Sequence, residues 1–387
     1  MGSGPFINRG RMLRDFTDII GIDSPSLKER VMFEALRKKL EEAGLDVYED
    51  DAGKADGGEC GNLIAILPGE AGLPAVALLA HMDTVTPCEN KKHVVDGDIV
   101  RSDGNTILGG DDAAGIIAAL EIARRVRERK IRHGGVVIIY TIAEETGLIG
   151  AKNLNQGLVK SLIGKGSFPE YCFVFDSGGA PGSIVSRAPS HIDLVVTVKG
   201  TAAHAGIEPE KGVNAIAVLS EAVACMPLGR IDAETTANIG IIRGGSARNV
   251  VCDLAIAEGE ARSHDSKKLD EQIARMKECV VDACAHSGAS YEIEEIKSYN
   301  TFLLTPDDPI IKLLSGAAAS RGYNVNLIPT GGGSDANILN EMGIPAANLP
   351  VGMYEVHSVN EYTNLRETDE TVELVVEAFR RLAAENN

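Results

Sequence analysis

The sequence predicts an α/β fold, a mixed and largely parallel sheet flanked by helices, with a smaller α+β module inserted into it. Three observations carry this. Short, almost wholly apolar runs at residues 62–67, 75–80, 136–142 and 172–175 have the composition of strands buried on both faces of a parallel sheet. Helix-like segments alternate with such runs from about residue 10 to residue 187, the rhythm of βαβ units. From about residue 188 the pattern turns to in–out alternation, with Ile192, Leu194, Val196 and Val198 set against His191, Asp193, Val195 and Thr197. That alternation marks a sheet covered on one face only.

In chain order, Ser26-Leu27-Lys28-Glu29 has the spacing of a capping box and would open a helix through Leu36 and Leu40. The strand over 62–67 stops at the Pro68-Gly69 break. The run 75–80 leads into His81-Met82-Asp83. Asp111-Asp112-Ala113-Ala114-Gly115 opens a long helix with Ile117, Leu120, Ile122, Ala123 and Val126 on its apolar face. Its carboxylates suit the positive end of the helix dipole, and Arg124, Arg125, Arg127, Arg129 and Lys130 suit the other end. The run 136–142 leads into Ala143-Glu144-Glu145-Thr146-Gly147, and 172–175 into Asp176-Ser177-Gly178-Gly179.

The inserted segment then reads as a strand, a helix over 213–226, strands over 237–242 and 250–262, a helix over 266–284 and a strand over 291–296. That β-α-β-β-α-β order is the ferredoxin-like split βαβ sandwich. The α/β style resumes at Asp307, passes Gly331-Gly332-Gly333-Ser334-Asp335 and Val356-His357, and ends in a helix over 370–383. The expected domains are 1–187 with 303–387, and an inserted lid over 188–302.

Bulk properties exclude several classes. Of 387 residues, 38 are Lys or Arg and 56 Asp or Glu, a net charge of −18. Nucleic acids and anionic membranes call for a basic face, so neither is an expected partner. No apolar run approaches the ~18 residues of a membrane span. Met1-Gly2-Ser3-Gly4-Pro5 lacks the pattern of a secretion signal. The 7 cysteines are scattered, without a Cys-x-x-Cys pair, and several lie in apolar runs. They read as core thiols of a cytoplasmic protein.

The chemistry is concentrated where the apolar strands end, the edge at which α/β sheets bind ligands. His81, Asp111 or Asp112, Glu144 or Glu145, Asp176 and the late His357 are delivered there or to the same domain. Alone, each has a bland reading: a structural histidine, a helix cap, a solvated turn. Together they are several carboxylates that could not be buried side by side without cations. Imidazole and carboxylate donors without thiolates suit zinc, with cobalt or manganese as substitutes. Two imidazoles make a two-metal site natural. Asp83, two residues past His81, faces the same side of an extended chain and could accept the other imidazole N–H. Of the adjacent Glu144 and Glu145, one could bind metal while the other stays free as a general base.

His81-Met82-Asp83-Thr84-Val85, Gly110-Asp111-Asp112-Ala113-Ala114-Gly115, Glu144-Glu145-x-Gly147, Phe175-Asp176-Ser177 and His357 together resemble the co-catalytic zinc peptidases typified by peptidase T. Carboxypeptidase G, aminoacylase and acetylornithine deacetylase are relatives. The resemblance runs through nearly the whole chain in matching order and implies the zinc-exopeptidase fold with two Zn²⁺ per chain. By it, Asp111 bridges the ions, His81 and Asp176 complete one, Glu145 and His357 the other, and Glu144 is the base. Gly200-Thr201-Ala202-Ala203-His204-Ala205-Gly206 resembles the lid segment whose histidine stabilises the tetrahedral intermediate. Asn249 and Arg262 fall where relatives hold the substrate, although Arg262 read alone is equally a surface ion-pair partner. Gly331 stands where peptidase T carries Arg, so "peptidase T-like" is the description the resemblance supports.

The expected activity is hydrolysis of amide bonds in small peptides by a two-metal-activated water, with Glu144 as general base. The alternative on the same site is an N-acyl amino acid deacylase. A non-catalytic metal or peptide binder is the reading from another class, which the intact Glu144 argues against. A homodimer through residues 188–302 is plausible from the edge strands of that module.

Overall fold

The apolar runs form the middle of a mixed sheet in the computed structural model, which describes residues 8–164 and 166–385. The chain divides into two compact units. One comprises Met1–Ser186, Leu303–Pro329 and Ser334–Asn387; the other comprises Arg187–Phe302 and Thr330–Gly333.

In the first unit the path across the sheet runs Asp46–Glu49, Leu63–Leu67, Val136–Thr141, Val76–His81, Tyr171–Gly178, Ala346–Tyr354, Tyr362–Asn364, Ile99–Ser102 and His93–Asp96. The pairings of Val76–His81 with both neighbours, and of Tyr171–Gly178 with Ala346–Tyr354, are parallel. Those further out are antiparallel. Every residue of Leu63–Leu67, Val76–His81 and Val136–Thr141 is buried. This is what their apolar composition demands, since helices such as Gly110–Glu128 pack on the sheet. His81 pairs in register with Thr141, so these two strands finish at one edge and deliver the turns after them to the same place.

Two local expectations gave way to tertiary contacts. Ser26–Glu29 is not a capping box: the helix is Arg30–Glu42, and its N-cap Glu29 makes no side-chain capping bond. Ser26 Oγ instead donates to Asp83 Oδ2 at 2.6 Å, and Glu29 Oε1 accepts the N–H groups of Leu27 at 2.8 Å and Ala143 at 3.0 Å. Asp111 does not cap the next helix; that falls to Asp112, whose Oδ1 accepts the N–H of Gly115 at 3.0 Å. Within Gly110–Glu128 the two aspartates have non-helical ψ angles of 103° and 36°, and Gly109 precedes them at φ +77°. The Asp111–Asp112 peptide is cis. The regular helix begins beyond them. At Gly115 a Cβ would lie 2.4 Å from Asp112 Oδ1 and 2.5 Å from Phe175 O, so only glycine permits this close approach of helix to strand.

That helix is buried nearly all round, and so is its Arg125. The guanidinium is wholly enclosed, with Glu121 at 2.8 Å, Glu373 at 2.6 Å and Asp369 also within hydrogen-bond reach. The network fastens Gly110–Glu128 to Leu365–Glu385.

The second unit has the split βαβ order. Its sheet runs Gly229–Arg230, Thr235–Gly244, Leu254–Ser263, Ser190–Lys199, Ser290–Tyr299, all neighbours antiparallel. Along Ser190–Lys199 burial alternates residue by residue. Ile192, Leu194, Val196 and Val198 join Leu219 and Ala222 of Ala215–Cys225, and Ile273, Met276 and Val280 of Ser266–Ser287, in one apolar cluster. The element ends differ by up to four residues from those expected: Thr235–Gly244 and Ser290–Tyr299 outlast their apolar pattern where cross-strand partners continue, whereas the strand expected from residue 250 begins at Leu254. Among the described residues no helix is long and apolar enough to cross a membrane.

Truncating one member of a buried ion network leaves its partners charged and unpaired. Arg125→Leu is therefore expected to cost about 3–5 kcal/mol, read as a lowered urea midpoint of the metal-free protein.

Candidate metal centre

His81 is the last residue of Val76–His81 and is almost fully buried. Its Nδ1 lies 2.9 Å from the backbone carbonyl of Asp83, which fixes Nδ1 as the donor and leaves Nε2 unprotonated when the ring is neutral. The carboxylate of Asp83, expected as the acceptor, stands further off at 3.4 Å and is engaged elsewhere. Oδ1 accepts the N–H of Glu144 at 2.9 Å, and Oδ2 the N–H of Glu145 at 3.2 Å together with the Ser26 hydroxyl. With Glu29 holding Ala143 N–H, consecutive amides of residues 143, 144 and 145 bind buried carboxylates. Ala143 sits at φ +47° inside this clamp.

The two glutamates take different partners, although each keeps a carboxylate oxygen within 4.8 Å of a His81 nitrogen. Glu145 Oε1 lies 2.9 Å from His357 Nε2. Glu144 instead shares a cluster with His81 and Asp176 in which the ligand atoms lie within 4.8 Å of one another. A second such cluster is His81, Asp111 and Glu145. Asp111 offers one oxygen to each imidazole, with Oδ1 at 3.2 Å from His81 Nε2 and Oδ2 at 3.2 Å from His357 Nε2. Asp112, which spacing could not separate from Asp111, faces away and accepts the backbone N–H groups of His81 at 3.2 Å and Gly115 at 3.0 Å.

Charge follows from this crowding. Burial, reinforced by neighbouring carboxylates, pushes the carboxyls of Glu144, Asp176 and Asp112 well above the usual range. Asp111 and Asp83 are the exceptions, although burial works against the charge of each. Hydrogen bonds from His357 and His81 hold Asp111 well below the usual range, and the nearby His81 ring with hydrogen bonds from Ser26 and the Glu144 N–H lowers Asp83. Burial alone would lower His81, yet Asp111 and Asp83 raise it well above the normal value. His357, between Asp111 and Glu145, is pushed up to about 10. Without cations, protons must neutralise the cluster; divalent cations do this with better geometry. The donor set of imidazoles and carboxylates, clustered within bonding reach, therefore fits a metal centre.

Several participants carried no sequence signal. Asn348 Oδ1 accepts the N–H of Asp176 at 3.0 Å, and its Nδ2 donates to the Asp176 carbonyl at 2.6 Å and to Ser334 Oγ at 3.2 Å. Asp335 Oδ2 accepts from the Thr141 hydroxyl, while its Oδ1 is buried without a hydrogen-bond partner among the described residues. Burial raises this carboxyl to about 6. Glu361 is buried beneath Asp111 and accepts its N–H at 3.0 Å. Polar residues such as these, in a strand (Asn348), at a helix start (Asp335) and in a loop (Glu361), look solvent-exposed in a sequence; only their burial reveals them.

The remaining expected residues lie in the second unit. His204 is exposed and accepts Gly206 N–H on Nδ1 at 3.2 Å. It bridges Val250, and the Asn249 carbonyl accepts the Ala205 N–H, so His204 and Asn249 are neighbours. The Arg262 fork is engaged by Glu260, with Nε at 3.1 Å and Nη2 at 2.8 Å. His191, on the polar side of its alternating strand, is mostly enclosed between Asp193 at 3.1 Å and Glu260 at 3.2 Å, its ring edge-on to Tyr299.

Residues 77–384 match the model of peptidase family M20/M25/M40. The chain belongs to that family. This M20 peptidase is 39% identical to the uncharacterized protein YqjE of Bacillus subtilis, over 97% of the chain and all of the relative. It is 38% identical to the aminopeptidase PepT of Bacillus cereus, whose crystal structure superposes with a TM-score of 0.85 over 98% of this chain and 100% of that one. With a tripeptidase of Staphylococcus aureus the identity is 35% and the TM-score 0.89, again over 98% and 100% of the two chains. The protein is thus a peptidase T-like metallopeptidase, and the mixed α/β fold expected from its strand pattern is that of the family.

Glu29 supplies a test of the clamp in the M20 peptidase. Burial and the nearby charge of Asp83 raise its carboxyl to about 7, against 4.5 ordinarily. A carboxyl raised on folding stabilises below its unfolded value and loses that contribution as pH rises through the folded value. Glu29→Gln keeps the acceptor oxygen without the charge. In metal-free protein, its melting temperature relative to wild type is expected to rise between pH 5 and pH 8. A constant difference would show that Glu29 does not titrate there.

Proposed function

We propose that this M20 metallopeptidase is an exopeptidase of short peptides, an aminopeptidase or tripeptidase of the peptidase T type, working with two divalent cations, zinc by preference. His81 and Asp176 would hold one ion, Glu145 and His357 the other, with Asp111 shared. The observation that carries this is the Asp111 carboxylate, which presents one oxygen to each of two imidazole Nε2 atoms at 3.2 Å. Support for the substrate class comes from the similarity to proteins described as an aminopeptidase and a tripeptidase. Six of the 7 cysteines are buried thiols, which favours a reducing, cytoplasmic setting.

When bound, the cations supply Lewis acidity and neutralise the carboxylates. The residues do the rest. Asp83 and Glu29 fix the 143–145 turn, and so fix where the Glu144 carboxylate points. Glu144, ionised where cations offset the neighbouring carboxylates that otherwise raise it, would take a proton from the water that attacks the scissile carbonyl. As the C–N bond breaks, it delivers that proton to the departing amine. The products are a carboxylic acid, which keeps the second water hydrogen until it ionises, and a free amine. His204 would donate to the developing oxyanion, and Asn249 and Arg262 would hold the peptide; these roles rest on the resemblance.

Glu144→Gln is expected to lower kcat by at least about 10²–10⁴-fold while metal content stays near that of wild type. Retained turnover would remove Glu144 as the base. His357→Ala, Glu145→Ala and Asp176→Ala should lose metal first, measured by atomic absorption after dialysis. Substrate class is read from di- and tripeptides assayed beside N-acetyl amino acids. Faster cleavage of the acyl amino acids would turn the reading to a deacylase.

A further inference from the structure

We propose that Glu361 is a positioning residue that keeps the Asp111 carboxylate in register with His357, and thereby sets the affinity for the cation assigned to Asp111, Glu145 and His357. This rests on the two-cation reading above. Glu361 is 1% exposed and follows His357 by a short turn. Its Oε1 accepts the N–H of Asp111 at 3.0 Å, and its Oε2 accepts those of Leu108 at 2.7 Å and Gly109 at 3.0 Å. The 108–111 turn is thus wrapped around one carboxylate by charge-assisted hydrogen bonds, the strong kind. The wrap is tight: a Cβ on Gly110 would lie 2.3 Å from Thr363 Oγ1 and 3.1 Å from Glu361 Oε1. Gly109 turns the chain at φ +77°.

The glutamate is itself anchored. Its N–H donates to Ser358 O at 3.2 Å, and its carbonyl accepts the Ser102 N–H at 2.9 Å. Both side-chain oxygens are committed to backbone amides, so Glu361 is neither ligand nor base in this arrangement. Its work is mechanical.

The ligands differ in how well the fold supports them. His81 and Asp176 belong to Val76–His81 and Tyr171–Gly178, adjacent parallel strands in the middle of the sheet. His357 stands in a turn whose residues 355–357 are exposed, with Glu355 at φ +51° and His357 at φ +61°. Glu361 is the first fully buried residue after that turn. Its side chain is therefore a direct tie between the exposed turn and Asp111. Loss of the tie leaves the strand-borne ligands where they are and frees the distance between Asp111 and His357. The ion needing His357 should suffer more.

The test is zinc titration of chelator-stripped protein against a chromophoric competitor, for wild type, Glu361→Gln and Glu361→Asp. Gln places an amide N–H against amide donors, and Asp withdraws the charge from them. Melting curves in chelator check that each variant folds, and the shorter variant serves where the amide does not. The expected result is a wild type with two sites, and variants in which one site stays within about threefold while the other weakens by about 10–100-fold. Turnover should then recover as free zinc is raised. Two wild-type sites with unchanged affinities in the variants would overturn the assignment, as would equal weakening of both sites. A wild type with a single site would sink the two-cation reading itself, and the assignment with it.

Discussion

The mutual repulsion of carboxylates buried at one edge of the sheet is the constraint on which this structure turns. Asp83, Asp111, Asp112, Glu144 and Asp335 are all nearly or wholly inaccessible, and Asp176 and Glu145 stand among them. Taking such groups out of water costs several kcal/mol each unless something meets their charge. Backbone amides, imidazoles, protons and metal cations are the available answers. Each carboxylate here has taken a different combination, and its role follows from that combination.

Where backbone N–H groups occupy the oxygens, a carboxylate becomes scaffolding. Asp83 holds the amides of Glu144 and Glu145, Asp112 those of His81 and Gly115, and Glu361 those of Leu108, Gly109 and Asp111. Most of these amides belong to the turns that carry Asp111, Glu144 and Glu145, so the scaffold acids place those side chains by gripping their backbones. Where no amide is offered, the carboxyl oxygens are left for other partners. Asp176 is held only through its main chain by Asn348, and Glu144 lies beside it with its proton affinity raised by burial. A dense acidic cluster is in this way divided into positioning groups and chemical groups.

The division depends on the strand order of the first unit. Parallel strands ending together bring turns from distant parts of the chain to one edge. The buried Arg125 network then fixes the helix that follows Asp111 against Leu365–Glu385, which follows the His357 turn. Core electrostatics and the metal centre are thus joined through two helices.

The apolar runs alone determined which segments are central strands, because a strand covered on both faces has no room for polar residues. The alternation of Ser190–Lys199 equally determined the one-sided sheet of the second unit. The residue types at the strand ends pointed to a metal held by imidazole and carboxylate, and the structure brings those groups into clusters that could hold one. Tertiary structure decided what local spacing could not. Ser26 and Glu29 have the pattern of a capping box, yet both serve Asp83 and the 143–145 turn, since buried charge outbids a helix end. Asp111 and Asp112 are neighbours of identical chemistry, and only the fold turns one to the imidazoles and the other to the backbone. Glu361 is one more acid in a loop until folding buries it beneath Asp111. Sequence carries burial and chemical type because these are properties of single residues and their near neighbours. Direction and partnership belong to pairs far apart in the chain, and exist only once it has closed.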